Sequence, residues 1–125
     1  MRIVFAILFT LHGFVHLIGF VVPWQISTME EMPYKTTVLN GLINLGNKGI
    51  RIYGVLWLLL ATGFIILAIT VLFLLPWWST FCISLASVSM FFCLLSWPDT
   101  KFGVFINILL ILFILYYVKS GRIAF

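Results

Sequence analysis

Charge is what this chain has least of. Among its 125 residues only 8% are Asp, Glu, Lys or Arg, 64% are hydrophobic, and the mean hydropathy is +1.26. A soluble domain of this length has too much surface to present so few charged groups to water. Most of its outer surface must therefore face lipid. A basic face is lacking too: the net charge of +4 is spread thinly along the chain, which excludes the concentrated patch that nucleic acid requires. Apolar and polar residues nowhere alternate with period two, which excludes a barrel and leaves helices as the spanning solution. Internal repeats and low-complexity tracts are missing as well, so residues 1–125 read as a single membrane domain.

No charged residue occurs from Ile3 to Met29, from Ile52 to Pro98 or from Phe102 to Val118. A helix needs about 20 apolar residues to cross the hydrocarbon core. The middle run is long enough for two, and Pro76 in "LPWWST" breaks it, having no N–H to donate. The expected fold is an all-α four-helix bundle spanning about Ile3–Val22, Ile52–Leu75, Trp77–Trp97 and Phe102–Val118. The first run is longer than a signal-peptide core, and "VVPWQ" lacks a small-x-small cleavage pattern; it is expected to be a retained span.

The connections "PWWS" and "PDTKFG" are tight, whereas Trp24 to Gly49 is long for a compact bundle. Within that loop, Val38, Leu42 and Leu45 share a helical face, Thr36 or Thr37 could cap its start and Gly46 its end. A short interfacial helix is expected there, serving as surface anchor or as lid. Trp77, Trp78, Tyr116 and Tyr117 at one level, and Trp24, Tyr34, Tyr53 and Trp97 at the other, match aromatic belts. Arg2, Lys119 and Arg122 oppose Lys35, Lys48, Arg51 and Lys101, too even a division to orient the chain. Its short termini favour a cytoplasmic placement.

Helices in lipid associate through small residues and interhelical hydrogen bonds. In the third span Ser79, Cys82, Ala86, Ser89, Cys93 and Ser96 recur at steps of three and four, a full stripe on one face. Gly54, Ala61 and Ala68 form a sparser stripe on the second span. Phe5, Phe9, His12, His16 and Gly19 form one on the first, and Gly13 is a further close-packing position. By depth, His12 lies near the centre of its span and His16 one turn nearer the long loop. Asn107 is expected level with His16, and Cys93 and Trp57 approach from the third and second spans. Trp97, Asp99 and Lys101 stand at the mouth, where Asp99 and Lys101 are expected to pair or to cap backbone groups at the start of the fourth helix. The polar groups thus converge on one half of the bundle.

A buried imidazole without partners is costly, so both histidines should face inward. Histidines at i and i+4 can share a metal, but the spans hold no carboxylate, and only Asp99, Cys82 and Cys93 could add ligands; no metal site is expected. Two histidines one turn apart cannot flank a haem, which leaves a single axial ligand as the only haem arrangement. A quinone or other small apolar molecule fits better: His16 and Asn107 could bond a carbonyl while Trp57 stacks on a ring. Membrane-embedded carboxylates, on which small multidrug transporters rely, are absent. Cys82 and Cys93 lie roughly 16 Å apart along one helix, beyond disulfide reach, and no hydrolase triad is evident.

The segments "LHGFVHLIGF", "GIRIYGVLWLLLATGF" and "SWPDTKFGVFINILLIL" resemble a group of bacterial four-span membrane proteins sharing an LHG-x-x-HL-x-GF start and a W-x-D-x-KFG-x-x-x-N turn. The resemblance singles out His12, Gly13, His16, Gly19, Trp97, Asp99, Lys101, Gly103 and Asn107, and implies an integral protein of the bacterial cytoplasmic membrane without implying an activity. The four-span layout also looks like that of the DoxX family, some of whose members partner redox enzymes. Two readings follow. One is a non-catalytic accessory or assembly subunit, surrounded by lipid and associated with other membrane subunits or itself. The other is a membrane protein holding a small apolar ligand, quinone or redox cofactor around His12, His16, Trp57, Cys93 and Asn107.

Overall fold

The charge-free runs are helical. A computed structural model describes residues 1–122, with α1 at Arg2–His16, α2 at Ile18–Val21, α3 at Gly46–Leu72, α4 at Trp78–Leu95 and α5 at Lys101–Lys119. At Leu17 the amide bonds the Phe14 carbonyl, three residues back, a single tight turn that leaves Arg2–Val21 effectively one rod. That rod, α3, α4 and α5 are each long and apolar enough to cross a membrane. At 1.5 Å per residue α3 is about 40 Å long and exceeds a hydrocarbon core of roughly 30 Å. Its first turns, with Asn47, Lys48 and Arg51, form the surplus.

The rod packs on α3, α3 on α4, and α4 on α5. The fourth side is different: α1 and α5 meet through side chains. There the Phe5 ring stands 5.6 Å from Phe113 and 6.2 Å from Tyr117. Lipid supplies no hydrophobic drive between helices, so close fit must do so. Ser79, Cys82, Ala86 and Ser89 are fully buried along α4, with Cys93 and Ser96 nearly so. A Cβ at Gly13 would come 3.0 Å from the Ala61 carbonyl oxygen, and one at Gly54 would press on Trp24 and Pro23.

Two apolar clusters fill the interior. One, toward the termini, joins Phe5, Phe9, Phe64, Leu67, Trp78 and Ile114; the other, toward the long loop, joins Val38, Ile50, Tyr53, Trp57, Cys93 and Val104. Two residues expected in the aromatic belts are core instead. Trp78 packs against Phe5 at 5.8 Å, and the buried Tyr53 hydroxyl bonds the Phe92 carbonyl at 3.1 Å and Ser96 Oγ at 2.5 Å.

The long loop overturns the expected interfacial helix. It carries a hairpin, β1 at Thr37–Val38 and β2 at Ile43–Asn44, antiparallel with Thr37 opposite Asn44 and Val38 opposite Ile43. Leu39, Asn40 and Gly41 have φ of 53°, 55° and 89°, left-handed values that no α-helix admits. Asn-Gly is a hairpin signal, and it outweighs the apolar spacing. Thr36 caps nothing; its hydroxyl donates to Asn44 Oδ1 at 2.9 Å, which also receives the Gly46 amide at 2.9 Å. Gly46 therefore opens α3 instead of closing a loop helix.

The loop is fastened across the end of the bundle. The Leu39 amide donates to the Leu95 carbonyl at 2.7 Å, the Trp24 indole to the Arg51 carbonyl at 2.9 Å and Tyr34 to Asn47 Oδ1 at 2.8 Å. Lys35 and Asp99 form an ion pair at 2.6 Å.

The tightest helix contact gives a test. A Cβ at Gly19 would lie 2.4 Å from Trp57 Cγ and Cδ2, atoms that cannot retreat without moving the indole. Gly19→Ala should destabilise the protein by about 1–3 kcal/mol, the usual cost of overpacking, in reversible unfolding from detergent micelles. Leu59→Ala, on an outward face that is 61% exposed, should change stability much less. Equal effects would refute the close rod–α3 fit.

Candidate functional site

Between the two clusters lies a polar layer. Along α1, His12 and His16 follow Phe9; on α4, Ser89 lies between Cys82 and Cys93; on α5, Asn107 lies between Val104 and Ile114. All four are buried, Asn107 and Ser89 completely. His16 Nδ1 meets the His12 carbonyl at 2.8 Å. That oxygen only accepts, so Nδ1 carries the hydrogen and Nε2 offers its lone pair. The Ser89 hydroxyl therefore donates to His16 Nε2, at 2.5 Å. Ser89 Oγ in turn accepts from Asn107 Nδ2 at 2.9 Å, and Asn107 Oδ1 accepts from His12 Nε2–H at 3.2 Å. The result is a closed circuit through three helices in which every donor has a fixed acceptor. Asn107 Nδ2 also lies 3.8 Å from Cys93 Sγ.

Phe64 seals the circuit toward the terminus-side cluster, its ring centroid 4.6 Å from that of His12 and 5.0 Å from that of His16. Trp57 lies on the other side, 5.2 Å from the His16 ring. The histidine nitrogens do not point at one shared position. Three of the four are engaged in the circuit, and only His12 Nδ1 stands outside it. Among the described residues no group of three or more His, Cys, Asp or Glu side chains is placed to hold a metal ion.

Against this layer, toward the long loop, is a cavity of about 230 Å³. Its inner wall is His12, His16, Trp57 and Cys93. Its loop-side cover is Met29, Glu31, Met32, Asp99 and Thr100, and its rim between α1 and α5 is Val15, Phe102, Gly103 and Ile106. Trp57 is 3% exposed, and its buried indole N–H makes no well-aligned hydrogen bond, the Tyr53 hydroxyl being its polar neighbour. An unmade bond of this kind in a buried setting costs about 1–3 kcal/mol.

The candidate ligand residues therefore divide. His12, His16, Trp57 and Cys93 line the cavity. Asn107 does not, because both ends of its carboxamide are spent in the circuit, and His16 has no free nitrogen to offer a ligand. Gly13, Gly19, Gly54 and Ala61 lie at helix contacts, and Cys82 and Ala86 on the buried α4 face. Both cysteines are free thiols. Asp99 belongs to the cover, whereas Trp97 is 40% exposed and outside the cavity wall.

The expected pairing of Asp99 with Lys101, or capping of α5 by either, is overturned. Asp99 bonds Lys35 instead, the Lys101 ammonium lies over the Phe102 ring at 5.5 Å, and no side chain caps α5. Thr100, at the capping position, turns its hydroxyl back to the Cys93 carbonyl at 2.6 Å. Sequence reasoning also overlooked Met29, Glu31, Met32 and Lys35, which carry no spacing signal. It placed Ser89 in a packing stripe, where a serine at the depth of two histidines could have marked the hub.

Comparison of the chain with protein-family models, curated proteins and solved structures gives no match.

The circuit makes a sharp energetic claim. Asn107→Leu strands His12 Nε2–H and removes a donor from Ser89, and should cost about 1–3 kcal/mol. In a double-mutant cycle, His12→Phe with Asn107→Leu should show a coupling of roughly 0.6–1.7 kcal/mol, the measured range for interhelical bonds in membranes. His12→Phe with Thr62→Val should show none, since Thr62 bonds only its own helix at Leu58. Additivity for the first pair would break the circuit.

Proposed function

We propose that this protein binds a small apolar molecule bearing a hydrogen-bond acceptor, such as a quinone ring, in the cavity beneath the long loop. One observation carries the reading: Trp57, in the cavity wall, keeps a buried indole N–H without a well-aligned acceptor, the Tyr53 hydroxyl lying beside it but out of line for a full hydrogen bond. Buried donors are nearly always paired, and a carbonyl in the cavity would supply the partner. His12 Nδ1, outside the circuit, offers a complementary acceptor for a ligand hydroxyl. Phenylalanine and methionine surfaces, with the indole face, suit a flat ring. The circuit holds the inner wall still, and the fastened loop covers the cavity's outer end.

A second reading, the non-catalytic assembly subunit, rests on the circuit alone. Four mutually satisfied groups fix helix register whether or not the cavity is filled, and a subunit that docks on other membrane proteins would need nothing more. The first reading accounts for Trp57 as well and is preferred. Under either, the resemblance to bacterial four-span proteins supports the bacterial cytoplasmic membrane.

Trp57→Phe separates the two. It keeps an aromatic ring and deletes the N–H. In nanodiscs, a tail-less methoxy-substituted benzoquinone should bind the wild type, and the variant about 5- to 10-fold more weakly, one ordinary hydrogen bond's worth. Thermal stability without the probe should stay level or rise, since an unpaired polar group has been removed. Equal binding by both proteins, or none by either, defeats the proposal.

A further inference from the structure

The cavity is small. Pockets that enclose drug-sized molecules run from about 300 to 1,000 Å³, and this one is about 230 Å³. It has room for a single substituted ring, so a larger ligand must project out of it. The loop-side cover is fastened by the Lys35–Asp99 ion pair and by the Leu39–Leu95 hydrogen bond. The gap between α1 and α5 is the weaker boundary: those helices meet only through side chains, and its rim residues Val15, Phe102 and Ile106 are exposed on the lipid side.

Beyond that gap, along the same seam, runs an apolar groove of about 340 Å³ lined by Phe5, Leu8, Ile106, Leu109, Leu110 and Phe113. Ile106 belongs to both, so the groove adjoins the cavity and leads from it toward the bilayer centre. From Ile106 to Phe113 it follows two turns of α5, about 10 Å. Polarity is graded along it, with every hydrogen-bonding wall group at the cavity end. The charge at that end is also selective. Glu31 and Asp99 are in the cover, and Lys35 answers Asp99 alone. An anionic headgroup would meet the unanswered Glu31 carboxylate, so the site rejects anions, and a neutral ring with a carbonyl suits the indole N–H in its wall.

Resting on the pocket reading above, we infer that the ligand is an amphiphile: an uncharged ring in the cavity and a linear isoprenoid or alkyl tail that leaves between α1 and α5 and lies in the groove. Such a molecule reaches the site sideways from the bilayer. A tail gains no hydrophobic energy in passing from lipid to groove, so what it gains there is close packing against the groove wall.

The test compares the tail-less benzoquinone with its decyl-tailed analogue, in nanodiscs and with concentrations expressed per lipid. Leu109→Trp fills the groove one turn beyond the cavity, on a residue 66% exposed, where folding is not at stake. It should weaken binding of the tailed probe about tenfold through overpacking and leave the tail-less probe unchanged. Leu112→Trp, lipid-facing but off the groove, should affect neither. As a second measurement, a diazirine on the eighth tail carbon should mark residues 5–8 of α1 or 109–113 of α5. If Leu109→Trp leaves the tailed probe unaffected, or the label spreads over the outer faces of α3 and α4, the inference is overturned while the pocket reading stands. If the tail-less probe does not bind the wild type at all, both fall.

Discussion

Four polar side chains buried in a lipid-facing bundle satisfy one another, and the rest of the architecture is arranged around that fact. His12, His16, Ser89 and Asn107 come from three helices, and none can shift by a turn without orphaning another. In hydrocarbon an orphaned donor is expensive and water is not at hand to repair it. The circuit therefore sets the depth of α1, α4 and α5 against one another. Small residues on α4 and glycines on the rod then let the backbones approach closely enough for these bonds to close. The two apolar clusters above and below are ordinary by comparison; many residue choices would fill them.

The circuit also explains why the cavity exists where it does. Imidazoles and a carboxamide locked together present a rigid inner wall, and the bulky Trp57 indole is pinned between His16 and the backbone of Gly19. α3 and the rod press tightly there. On the opposite side, α1 and α5 are bridged by the long reach of His12 to Asn107 and of Phe5 to Phe113, which leaves unfilled volume between them. Close packing on one seam and side-chain bridging on the other are two consequences of a single placement of polar groups.

Much of this was legible from residue order. The absence of charge located four spans, three of them within two residues at each end, whereas α3 begins at Gly46, six residues before the expected Ile52 and across Lys48 and Arg51; the steps of three and four in α4 located its inward face. The convergence of His12, His16 and Asn107 followed from counting residues to the membrane edge. Partner choice did not follow: level alone cannot say that Asn107 reaches His12 directly and His16 only through Ser89. The loop misled because Val38, Leu42 and Leu45 mimic helical spacing, while the conformation was decided by Asn40-Gly41 and its left-handed backbone. Asp99 misled in a similar way. Its sequence neighbour Lys101 was the obvious partner, but Lys35 reaches it across the loop, a contact that local spacing cannot encode.

The circuit has a direction. Its hydrogen bonds all run one way, from His12 through Asn107 and Ser89 to His16, and the last donor stops on the His12 backbone carbonyl. A conducting chain needs members that both take up and release a proton, then reset by turning over together. A peptide oxygen cannot release one, and a carboxamide turned over would present its oxygen to Ser89 and its NH2 to His12. This circuit is thus a dead end for proton relay: two histidines in the middle of a membrane serve here as a clasp and not as a wire.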